Sequence, residues 1–280
     1  MFAALLIDIK NSRELSESDR MQCQDRILLA LEIVNALLAT KLDKKLSISS
    51  GDSIQGLFLD TVEALKCFFL IKNLLYPFEI RGSIGYGKIN TIEENSTNSK
   101  YLDNVNFLDG EAFHRASEGL NICKKNNQNI IISSEDSSND LIVNQILRTI
   151  YVLENMQTKK QKEIQFIFRC FFPYLDSTIN LKNYTKITIP IIAQQAKIKD
   201  HKIYEDIISE MHESARFGLL PESGIFFAQD PFCKSINAVV AILLNVSREN
   251  IRQIVVKGKF NEIRKLEITV VSILNKFKGV

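Results

Sequence analysis

The stretch Ser47-Ile48-Ser49-Ser50-Gly51-Asp52-Ser53-Ile54-Gln55-Gly56-Leu57-Phe58 decides how this chain is read. Small and apolar residues alternate up to a glycine and resume with Ile54, Leu57 and Phe58, which predicts two β-strands joined by a tight turn over Gly51-Asp52. A carboxylate at such a turn stands at the lip of a sheet. Upstream, Phe2-Ala3-Ala4-Leu5-Leu6-Ile7 is an apolar run of strand length that ends at Asp8. If that strand pairs beside the hairpin, Asp8 and Asp52 come from neighbouring strand ends and face one another. Two carboxylates with exposed main-chain carbonyls suit Mg²⁺ or Mn²⁺, which take hard oxygen ligands and fill their remaining positions with water and substrate phosphate. The competing reading of each acid is a turn residue or a helix cap.

Between these segments, Ile27, Leu31, Val34 and Leu38 recur at helical spacing and predict an amphipathic helix from about Ser16 to Leu42. Asp60-Thr61-Val62-Glu63 starts a second helix like a capping box, and Pro77 stops it after Tyr76. The run from Phe78 to Ile89 alternates like a strand but holds Gly82, Gly85 and Gly87, which predicts close approach of a ligand or another backbone. Arg81, embedded there, either reaches a phosphate or pairs with an acid. A helix from Asp109-Gly110 to Lys125 and a strand Asn129-Ile130-Ile131-Ile132-Ser133 follow. The order β-α-β-β-α-β-α-β predicts an α+β domain over residues 1–136, a sheet with helices on one face in a ferredoxin-like or palm arrangement.

The remainder reads as mostly helical. Residues 137–182 form a connector in which Phe166, Phe168, Phe171 and Phe172 are expected to be core. Residues 183–230 and 231–280 each carry a helix-turn-helix template of the kind found in winged-helix modules: Ala193 before Lys197 in the first, Ala241 before Asn245 in the second. Tri-helical protein-interaction modules carry the same pattern. In the second module Ser247 would cap a helix presenting Arg248, Asn250, Arg252 and Gln253, side chains that read base edges. Lys257, Lys259, Arg264 and Lys265 would touch phosphates. From Pro231 to Val280 there are nine Lys/Arg against three Asp/Glu, a locally basic end.

The whole chain is not basic. Its 280 residues are 45% hydrophobic and 24% charged with net charge +2, so nothing global demands nucleic acid or a membrane. Five scattered cysteines without a CxxC pair read as buried thiols of a reducing cytoplasm. No apolar run reaches spanning length, and the N-terminus lacks the basic region of a signal peptide.

Four ordered blocks resemble the signatures of the bacterial SatD family: Asp8-Ile9-Lys10-Asn11-Ser12-Arg13; Gly51-Asp52-Ser53-Ile54-Gln55-Gly56-Leu57; Tyr76-Pro77 with Ile80-Arg81-Gly82-Ser83-Ile84-Gly85-Tyr86-Gly87; and Asp109-Gly110-Glu111-Ala112-Phe113. The resemblance covers about residues 1–135. The same blocks look like a reduced class III nucleotidyl cyclase domain. That likeness implies Asp8 and Asp52 as metal ligands and the backbone of Ile9, Lys10, Asn11 and Ser12 around a nucleoside triphosphate. Ser50, Gly51 and Arg81 would complete the nucleotide site, and two metal ions would activate a 3′-hydroxyl and steady the leaving pyrophosphate. There are departures. Ile48 stands where purine cyclases carry a base-reading Lys. His114 and Glu118 stand where their late helix carries Asn and Arg, leaving His114 and Arg115 as the catalytic candidates.

The expected function is a metal-dependent, cyclase-like nucleotide-binding domain coupled to DNA-binding helices, responding to a nucleoside triphosphate or cyclic nucleotide in a homodimer. Sensing is favoured over synthesis because the transition-state residues depart. The alternatives are an active cyclase and a non-enzymatic dimeric DNA-binding or assembly protein.

Overall fold

The computed structural model describes residues 1–90, 105–173 and 236–277, without the side chains of Ser50, Phe107 and Phe277. The chain divides into two compact units, Met1–Arg148 with Ile273–Val280, and Thr149–Ser272. The first-predicted helix-turn-helix, 183–230, lies outside the described residues.

The first unit runs β1 (Phe2–Ile9), α1 (Glu17–Leu37), β2 (Leu42–Ser50), β3 (Ser53–Phe58), α2 (Thr61–Leu74), β4 (Ile80–Gly87), α3 (Glu111–Asn126), β5 (Ile130–Ser133) and most of α4 (Ser137–Asn155). Five strands form one sheet in the order β2-β3-β1-β4-β5. β1 pairs antiparallel with β3 (Ile7 opposite Ile54) and with β4 (Asp8 opposite Arg81), while β4 and β5 are parallel. The hairpin turns over Gly51-Asp52, where Gly51 takes φ +58°, a conformation that penalises any residue with a Cβ. Ser16 caps α1 and Asp60 caps α2, each side chain accepting the backbone N–H three residues on.

Helices cover both faces of the sheet, where the sequence pattern predicted one. In β4, a Cβ added at Gly82 would meet the Phe68 ring of α2, whereas one at Gly85 would lie 2.1 Å from the Ala112 carbonyl oxygen of α3. Positions three apart in a strand face opposite sides, so α2 and α3 sandwich the sheet. Gly85 and Gly87 are therefore the seat of α3, which settles onto the strand backbone around Ala4, Leu57, Ala112 and Ala116. α2 is buried nearly all round, and its Lys66 Nζ pairs with Glu63 Oε1, one turn away, at 3.0 Å. β2 also begins earlier than expected: Leu42, read as the end of a helix, opens a strand ahead of the expected start at Ser47, and Asn35 of α1 clasps the Leu46 backbone through both the oxygen and the nitrogen of its amide.

The second unit holds the end of α4, α5 (Lys159–Phe171), α6 (Ile236–Leu244), α7 (Arg248–Lys257) and α8 (Phe260–Phe277) up to Ser272. Thr158 and Gln161 form a capping box at the start of α5. Phe166, Phe168, Phe171 and Phe172 are all buried, and Phe168 meets Phe260 edge-on at 5.6 Å.

Candidate functional site

Asp8 is the next-to-last residue of β1, inside the strand rather than beyond it. Strand alternation puts it with Phe2, Ala4 and Leu6 on the face that α3 covers. Arg81, directly opposite on β4, donates from Nε to Asp8 Oδ2 at 3.1 Å, and Lys124 of α3 places Nζ 3.2 Å from the same oxygen. Asp8 is 8% exposed, whereas the Lys124 side chain is 45% exposed and reaches in from solvent. Of the two expectations for Arg81, pairing with an acid is the one seen.

Lys10 belongs to the same corner. Its side chain is buried, with Nζ 4.0 Å from the exposed carboxylate of Glu79. The Cys123 thiol of α3 lies among these cations and donates to the Gly82 carbonyl at 3.2 Å. Burial pushes this thiol up to about 12, against the smaller opposing pull of the Lys10 and Arg81 charges. The backbone that was to cradle a triphosphate is partly engaged: Lys10 N–H donates to the Glu79 carbonyl at 2.8 Å, extending the β1–β4 ladder. Ile9 is buried. Asn11 adopts φ 54° and opens a short 3-10 turn, Ser12–Glu14, with Glu14 N–H returning to its carbonyl at 2.9 Å.

Asp52 keeps different company. It is half-buried, and its Oδ2 is buried without a hydrogen-bond partner among the described residues. Its charge is felt by Cys23 of α1, whose thiol is pushed up to about 11, mainly by burial and secondly by Asp52. Thus Asp8 sits beneath α3 with cations, and Asp52 sits against α1. A divalent ion on Asp8 would have two cationic nitrogens within 3.2 Å of its ligand oxygen, so Asp8 as arranged does not fit a metal ligand. Among the described residues no group of three or more His, Cys, Asp and Glu side chains could hold a metal ion. The side chain of Ser50 lies outside the described residues.

His114 and Arg115 lie one turn into α3. His114 is exposed, with Nε2 3.4 Å from Asp109. Arg115 donates to Glu111 at 2.6 Å and to the Tyr86 carbonyl, which fastens α3 to β4.

In the second unit, α6 and α7 are joined by a three-residue turn. Asn245 takes φ 51°, Ser247 Oγ accepts the Asn250 N–H at 3.2 Å, and Ala241, Ile251 and Val255 are buried on the inner side. Arg248, Asn250, Arg252, Gln253, Lys257 and Lys259 are exposed. Arg252 has only a loose contact to Glu249 at 3.4 Å. Arg264 is a correction to the expected phosphate contacts: it is 4% exposed, donating to the Phe172 carbonyl at 2.8 Å and lying 3.6 Å from Glu267. It belongs to a buried network in which Arg169 also pairs with Glu154 at 2.7 Å and Glu267 at 2.5 Å. Helical periodicity hid this network, because a charged side chain on a helix is ordinarily solvated.

The family model of the SatD family matches residues 2–204. This chain belongs to the SatD family. The match runs past the sheet of the first unit into the residues after α5. No curated protein and no solved structure matches the chain.

Proposed function

We propose that this SatD family member is a DNA-binding regulator whose first unit binds a nucleoside triphosphate and acts as a sensor rather than a cyclase. The observation that carries the proposal is the α6–turn–α7 pair: a serine-capped second helix, packed through Ile251 and Val255, turns Arg248, Asn250, Arg252, Gln253 and Lys257 outward together. That is the arrangement in which a second helix enters a major groove with its N-terminal side chains on base edges.

For the first unit, the strand order β2-β3-β1-β4, antiparallel throughout, supports a ferredoxin-like or palm reading. The cations gathered at the end of β1 support a phosphate-bearing ligand. Synthesis is disfavoured because Arg115 is engaged by Glu111 and Tyr86 and His114 stands in solvent beside Asp109, so neither is held ready for a transition state.

The test is binding to duplex DNA at two salt concentrations, with and without ATP and GTP. Binding should weaken steeply with salt, and Arg248→Ala and Arg252→Ala should each weaken it about tenfold, from the worth of one charge-assisted contact. Binding unaffected by either change would refute the assignment of α7. Calorimetry with each triphosphate tests the first unit.

A further inference from the structure

We infer that the end of β1 is a metal-independent polyphosphate subsite, in which Arg81, Lys124 and Lys10 receive phosphate oxygens and Asp8 is their internal counter-ion, not a metal ligand. The inference rests on the nucleotide reading above and departs from the metal ligation that the cyclase likeness implies. Its basis is a charge count. Arg81 and Lys124, from a strand and a helix, converge on one oxygen of a carboxylate that balances a single positive charge. Lys10 brings a third cation to the same face of the sheet, paired at 4.0 Å with the Glu79 carboxylate. Gathering positive charge at an 8%-exposed acid is costly unless negative charge is shared among all the cations. An inorganic or nucleotide phosphate chain supplies several anionic oxygens, so each cation gains an acceptor of its own.

Access runs past Lys124. Its side chain is 45% exposed, so its ammonium can swing from Asp8 to an incoming phosphate without opening the core. Arg81 has a planar fork of which only Nε is used on Asp8, leaving its geometry suited to a second acceptor. Asp8 is the anion with which an incoming phosphate competes for both cations. A divalent cation on the same oxygen would have to expel both.

The experiment titrates the full chain with ATP, GTP and inorganic tripolyphosphate, in EDTA and then in Mg²⁺, by calorimetry. The wild type should bind at least one of the three in EDTA. Tripolyphosphate binding alone would identify the phosphate chain as the recognised group, whereas nucleotide binding alone would add a base or ribose contact to it. Lys124→Gln, at a half-exposed position, should weaken binding about tenfold. Asp8→Asn, which removes competing negative charge, should leave it unchanged or tighter. Melting curves of each variant report whether the fold is kept. Binding that requires Mg²⁺ and is lost in Asp8→Asn would overturn the inference while leaving the nucleotide reading standing. No binding by any of the three, with or without Mg²⁺, would overturn both.

Discussion

In the second unit Arg169 and Arg264 face Glu154 and Glu267, two charges against two, with no side chain more than 14% exposed. At the end of β1, Arg81 and Lys124 share a single oxygen of Asp8, and one of the three is nearly half exposed. The side-chain types are nearly the same; the charge balance and the access to water are not. A buried network whose described arginines each have a carboxylate partner does its work by joining α4, α5 and α8 in one packing. Among the described residues the β1 cluster sets two cations on one carboxylate oxygen at a reachable edge, and it is there that an anionic ligand gains something by arriving.

That contrast can be broken by measurement. The largest effect is expected from Glu267→Gln, which leaves two buried arginines short of a carboxylate. Urea denaturation should show a loss of about 3–5 kcal/mol, the usual cost of removing one partner from a buried pair. A loss under about 1 kcal/mol would mean that water reaches the network. Gly85→Ala drives a methyl into the Ala112 carbonyl and Ala116 N–H of α3, two backbone groups that cannot step aside. About 1–3 kcal/mol should be lost, read from thermal melts.

Asp8→Asn should cost less than Glu267→Gln, about 1–2 kcal/mol, because Lys124 can turn its ammonium to water. If Asp8→Asn proved the more damaging of the two, the β1 cluster would be structural and the comparison would fail. Alkaline pH sharpens the view of the thiols flanking the two acids. Cys23 and Cys123 are raised from 9.0 to about 11 and about 12, so the folded state keeps protons that the unfolded chain releases first. Stability should be unaffected below pH 9 and fall as pH rises from there toward 12. A melting temperature that holds constant through that window would show the thiols to be less buried than they are here. The smallest effect belongs to Glu249→Gln on exposed α7, under about 0.5 kcal/mol by the same denaturation.

Much of this was legible from short stretches of chain. The hairpin over Gly51-Asp52, the capped start of α2 at Asp60, the turn position of Asn245 and the Ser247 cap were all readable. Each depends on a few consecutive residues whose backbone preferences agree with the final fold. The predicted close approach at the β4 glycines was also correct in kind, and the structure identifies the approaching backbone as α3. The earlier start of β2 was not readable, since Leu42-Asp43-Lys44-Lys45-Leu46 has no strand-like alternation and owes its state to pairing with β3 and to the Asn35 clasp.

The candidate site divided along the same line. Asp8, Arg81 and Lys10 could be picked out as chemically apt, but Lys124 could not: one lysine near the C-terminal end of an amphipathic helix looks like any solvated charge. Arg264 failed in the opposite direction, looking exposed and proving buried. Patterns along the chain were thus enough to place turns, caps and helix faces, because those are settled by neighbours a few residues away. Which cations gather on Asp8, and which arginines leave the surface, was decided only when distant elements packed together, because a charge takes its partner from whatever the fold brings within about 4 Å of it.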